Sequence, residues 1–150
     1  MTNVLFATAR ATKAGFIFLG SVLFSCVAAT VLSGFFFALL LAISSDSGTA
    51  GAFFSYYCFF SFCIGSPIFF FLGVPILHFV PGLKYAHPYI AGIAGAAIAG
   101  SIVFILRLMH NSVAPPSSFS SVALFIACPS LWAAIASCIY QRSKELASAT

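Results

Sequence analysis

The chain has 150 residues, of which 62% are hydrophobic and 5% charged; soluble domains carry roughly 25% charged residues. So few polar groups cannot clothe a soluble fold of this size, which leaves lipid as the solvent. The formal net charge of +4 is spread thinly, mostly over the chain ends and one loop, and forms no basic stripe, so no nucleic-acid partner is expected.

Four apolar runs, 15–43, 50–80, 88–109 and 119–140, divide the chain. Each is long enough to cross a bilayer, for which about 20 apolar residues suffice. The sequence predicts an all-α, polytopic integral membrane protein, a single four-transmembrane-helix bundle over residues 1–150 with short cytoplasmic tails. The first two runs exceed that length, so tilt or bending is expected.

The first run follows Arg10 and Lys13, an arrangement shared with signal peptides. Leu23-Phe24-Ser25-Cys26 even resembles a lipobox, but Phe24 is bulky for that pattern and the chain stays apolar to Ile43. The run is therefore read as an uncleaved span. It carries Ser21, Ser25, Ala29 and Ser33 at four-residue spacing, a seam of small residues that lets a second helix approach closely.

The second run holds Gly65-Ser66-Pro67 and, eight residues on, Gly73-Val74-Pro75. Proline removes a backbone donor and crowds the preceding turn, so the helix is expected to kink or break at Pro67 and Pro75. Freed carbonyls there can line a cavity or bind an ion; the plainer reading is a bent helix repaired by Ser61 and Ser66. Pro81-Gly82 ends the run with a turn.

Pro88 suits the first turn of the third helix. This run carries Gly92, Ala96 and Gly100, with Ala91, Gly95 and Ala99 beside them, so two adjacent small stripes mark it as the expected central helix. The proline-rich stretch 111–118 resists helix. The fourth run repeats the proline device at Pro129 and has its own seam at Ser130, Ala134 and Cys138. Trp132 falls mid-run and is expected inside. Tyr56, Tyr57, Tyr85, Tyr89 and Tyr140 fall near run ends, as interfacial belt residues do. From Gln141 on, a short solvated helix end is expected.

Arg10, Lys13, Lys84, Arg142 and Lys144 fall on one side of a four-span topology, so both termini are expected in the cytoplasm. Only Arg107 opposes them, near the outer end of the third run, where its side chain can snorkel to the interface. The proline breaks and the Gly/Ala-rich third run resemble the general pattern of small bacterial inner-membrane proteins, which makes that membrane the expected location.

Chemistry is scarce. Asp46 and Glu145 are the only acids, and both fall in a loop or tail, so no pair of carboxylates is available within the spans for acid–base work. The five cysteines, Cys26, Cys58, Cys63, Cys128 and Cys138, form no C-x-x-C and read as small hydrophobes. His78 and His87 flank the cytoplasmic turn around Lys84, and His110 lies beside Arg107. These five residues are the candidates for contact with a lipid headgroup or a partner; without a carboxylate or thiolate they are not read as a metal site. No cofactor, metal or catalytic residue is expected. The function that fits is a non-catalytic membrane partner acting through helix–helix contacts, as an accessory, assembly or immunity-type protein of another membrane protein or of its own copies. The competing class is a small oligomeric channel, transporter or holin-like pore built on the broken second helix.

Overall fold

The computed structural model describes residues 2–44, 47–110 and 119–149. The described residues are helical apart from Val80 and the short connection 85–87, and contain no strand. Helix α1 covers Thr2–Ser44. A second long segment follows as α2 (Ser47–Phe60), a π-helical stretch (Ser61–Gly65), α3 (Ser66–Ile68), a second π-helical stretch (Phe69–Gly73) and α4 (Val74–Phe79). A single turn, α5 (Pro81–Lys84), leads into α6 (Pro88–His110), and α7 spans Phe119–Ala149. The expected loop 111–118 and Asp46 lie outside the described residues.

Among the described residues three stretches, Gly15–Ile43, Ala50–Phe79 and Pro88–Met109, are long and apolar enough to cross a membrane. They contain 29, 30 and 22 residues. At a 1.5 Å rise per residue they measure roughly 43, 45 and 33 Å against a hydrocarbon core of about 30 Å. The first two must tilt or protrude; the third fits nearly upright.

In the second segment each G-x-P unit closes a π-helical stretch. At the junctions the backbone stays in the right-handed helical region, for example φ −66° and ψ −41° at Gly65 and φ −63° and ψ −51° at Gly73. The hydrogen-bond pattern widens at these places while the chain remains helical. The two glycines have a packing cause. A Cβ on Gly65 would meet the Trp132 indole at 3.1 Å, and one on Gly73 would meet the Phe69 ring at 2.5 Å. Each makes room for an aromatic ring.

The core runs along α1 through Val22, Cys26, Ala29 and, past Ser33, Phe37, a spacing of three and four residues that keeps one stripe inward. It continues with Phe69, Val74 and Leu77 from the second segment, Ala91 from α6, and Trp132, Ala136 and Tyr140 from α7. Phe69 sits edge-on between Trp132 and Tyr140, with centroids 6.0 and 6.1 Å away, a geometry that aromatic quadrupoles favour. Outside this stripe most of the large apolar side chains are exposed, as a lipid-facing surface requires.

The central helix is α7, not the third run as the small-residue count suggested. Helix α7 packs on α1, on α6 and on the second segment, whereas α6 packs chiefly on α7. The glycines of α6 explain this, because all of them answer to one neighbour. A Cβ on Gly92 would meet Ala134 O at 3.1 Å, one on Gly95 Ala133 O at 2.8 Å, and one on Gly100 Ser130 Oγ at 2.9 Å. Small residues gave α6 one very close partner rather than several.

The end of α7 also departs from expectation. Gln141 is buried, and its Nε2 donates to Lys84 O and Ala86 O, both at 3.1 Å; Lys144 Nζ donates to Lys84 O at 3.0 Å. The helix end is therefore a clasp on the turn between α5 and α6. Gln141 lies four residues beyond Ser137, on the same helical face, and that face is already buried. Its Oε1 has no hydrogen-bond partner among the described residues. Gln141→Leu removes both donations, leaving Ala86 O without this donor and Lys84 O with Lys144 alone. The expected loss is about 2 kcal/mol, read as a lowered thermal unfolding midpoint in mild detergent, whereas Arg142→Gln, at an exposed neighbour, should leave the midpoint unchanged.

Candidate functional site: an apolar groove

Because α6 leans on α7 and the second segment leans on α1 and α7, a cleft is left between the second segment and α6. It encloses about 1090 Å³, above the roughly 300–1,000 Å³ usual for small-ligand pockets. One wall is the second segment, from Phe53 to Leu77, and the other is α6, from Ala94 to Leu106. Cys128, Pro129, Trp132, Ala133 and Ser137 of α7 form the floor, and Phe37, Leu40 and Leu41 of α1 close one end. Side chains on both walls, such as Ile64, Ile68 and Leu106, are more than half exposed, so the groove opens towards lipid.

Few polar side chains reach it: Tyr57, Ser61 and Ser137 lie among the lining residues. The Tyr57 hydroxyl is 3.1 Å from Ser33 Oγ and 3.2 Å from Cys128 O. Its single proton serves both acceptors, since Ser33 spends its own on Ala29 O at 2.6 Å. Below the floor Trp132 Nε1 donates to Thr30 Oγ1 at 2.9 Å. These bonds tie α1, the second segment and α7 together and are internal to the bundle. The groove surface is left almost wholly apolar.

Of the α1 seam, Ser25, Ala29 and Ser33 are buried and Ser21 is half-buried. Ser25 donates to Ser21 O at 2.7 Å, so the hydroxyls of this stripe are satisfied within their own helix. In α6, Gly92 is buried against α7, while Ala96 and Gly100 are half-buried. Gly65, Gly73 and Pro129 border the groove. Pro67 is exposed and Pro75 half-buried, both outside its lining. Ser130, beside Pro129, donates to Ile126 O at 2.8 Å.

The candidate contact residues are not gathered into one cluster. His78 packs edge-on against Phe79 at 5.5 Å, and His87 stacks on Tyr89 at 5.1 Å. Lys84 Nζ lies 5.2 Å above the Tyr85 ring, a cation–π contact. Arg107 and His110 belong to the far end of α6. Among the described residues no group of three metal-ligating side chains occurs. Two tyrosines expected at the interface turn inward: Tyr57 bonds Ser33, and Tyr140 is buried against Phe69 and Phe18. Tyr56, Tyr85 and Tyr89 are exposed.

Thr30 and Gly34 were not foreseen from the sequence, and Lys144 was read only as a cytoplasmic charge, not as a partner of Lys84 O. Gly34 is a close-approach point, where a Cβ would meet Cys58 Sγ at 3.0 Å and Tyr57 Cδ1 at 3.2 Å. Its signal was its place beside Ser33, one helical turn from Thr30. In comparisons with known proteins, no family model, no curated protein and no solved structure matches the chain.

Proposed function

We propose that the chain is a non-catalytic, four-span protein of the bacterial inner membrane that seats one transmembrane helix of another membrane protein in the groove between the second segment and α6. In this reading the stretch 119–140 of α7 is the fourth span. Both tails face the cytoplasm with Lys84, Arg142 and Lys144. The second segment bends at Pro67 and Pro75, which holds it off α6.

The groove itself carries the proposal. From Phe53 to Leu77 its wall rises about 36 Å, enough to cover the hydrocarbon core of about 30 Å. Ala94 and Ala99 on the α6 wall are small and let a helix backbone come close, which is how helices associate in lipid. An accessory, assembly or immunity-type role needs this contact and no chemistry. The π-helical stretches beside the groove favour one alternative, a small oligomeric channel, transporter or holin-like pore with the second segment as its pathway.

A photo-crosslinker at Ala99, inside the groove, is expected to capture one companion in stoichiometric amount from native membranes. The same group at Phe24, on the exposed face of α1, is expected not to. Ala99→Trp, which fills the groove, should abolish the capture while the protein keeps its thermal midpoint. Recovery of only this chain from both positions removes the proposal. Solute flux through liposomes holding the purified protein, changed by Pro67→Ala with Pro75→Ala, establishes the pore instead.

A further inference from the structure

The clasp at the end of α7 fixes more than the fold. Lys84 and Lys144 are far apart in sequence, yet the Lys144 ammonium is held 3.0 Å from the Lys84 carbonyl, and Gln141 grips the same oxygen. Both lysine side chains are only half-buried. Lys144 spends one of its three N–H donors on that carbonyl and keeps two. The Lys84 ammonium is steadied over Tyr85. Arg142, exposed, follows Gln141 directly, and exposed His87 lies three residues after Lys84. Against these cations stands one neighbouring acid, Glu145. Tyr85 and Tyr89, exposed at the same end, have the amphipathic character of residues at headgroup depth.

We propose that this patch, centred on Lys84 and Lys144, binds the phosphodiester of an anionic phospholipid. Charge complementarity selects the ligand: two ammonium groups brought to one turn at the end of the spans meet a phosphate at headgroup level. A zwitterionic lipid offers the same phosphate with a compensating cation, which the two lysines repel. The site is separate from the groove and does not depend on what the groove holds.

The clasp uses the backbone carbonyl of Lys84, so Lys84→Gln removes the charge and leaves Gln141 and Lys144 their acceptor. Protein purified in mild detergent is titrated with phosphatidylglycerol or phosphatidylcholine of identical acyl chains, and the bound lipid is counted by native mass spectrometry. Phosphatidylglycerol is expected to be retained in preference. Lys84→Gln should weaken it about fivefold, the effect of roughly one cation near a lipid surface, with an unchanged thermal midpoint. Lys84→Gln with Lys144→Gln should erase the preference, Lys144→Arg should keep it, and Arg107→Gln, at the other end of α6, should not alter it. Equal retention of both lipids, or wild-type retention by Lys84→Gln, overturns the proposal. So does displacement of the lipid by millimolar inorganic phosphate, which would make the patch a site for the free anion.

Discussion

Gly95→Leu is expected to pull α6 away from the bundle and to be the most damaging single substitution in that helix. A Cβ at Gly95 would lie 2.8 Å from Ala133 O and closer still to Ser137 Oγ. The first of these atoms is backbone, so the clash is not relieved by a change of rotamer; one helix must move. Because α6 packs chiefly on α7, it has little else to hold it. The loss should be about 3 kcal/mol, the upper part of the usual range for overpacking, read as the midpoint of unfolding in sodium dodecyl sulfate from mild-detergent micelles. Gly20→Leu is the control, since nothing lies within 4 Å of a Cβ there. Equal midpoints for the two variants would show that α6 does not approach α7 closely at Gly95.

Trp132→Ala should cost a comparable amount by emptying the centre rather than crowding an edge. The indole is 6% exposed, lies against Gly65, meets Phe69 edge-on and donates to Thr30. Truncating a buried tryptophan typically costs about 3–5 kcal/mol, and helix unfolding followed by circular dichroism measures it. Thr30→Val isolates the polar part. It leaves the indole N–H buried without an acceptor at a cost of about 1–3 kcal/mol. It also keeps the only tryptophan of the chain, so indole emission can follow the transition. A Thr30→Val protein as stable as the original would mean that this hydrogen bond contributes nothing net.

The helical architecture was legible because the solvent is lipid. Runs of apolar residues separated by Lys84 or by Pro81-Gly82 translate directly into helix and turn, with little side-chain detail needed. The seams were legible for a similar reason, since small residues at four-residue spacing mark close approach wherever it occurs. Their partners were not legible. Gly92, Gly95 and Gly100 state that something comes close, not that one helix occupies every contact; Ser130, Ala134 and Ser137 of α7 supply the answer only in three dimensions. The groove is harder still. It is a gap between two helices that share a neighbour, and no residue encodes a gap. Gln141 was misread through its polarity, although its place four residues after Ser137 put it on a buried face.

The order of synthesis gives the position of α7 a further meaning. The helix that touches every other long element emerges from the ribosome after them. Until it docks, α6 lacks the surface its glycines fit, and Tyr57 and Thr30 lack their α7 partners. The earlier helices must therefore tolerate a period as separate tenants of the membrane. Serines such as Ser25 and Ser33, whose hydroxyls answer to their own helix, suit that interval, because they expose no unmet polar group while they wait. Assembly is thus completed late and from the centre outwards, and a nascent chain stalled before α7 would present quality-control proteases with inserted but unassembled helices.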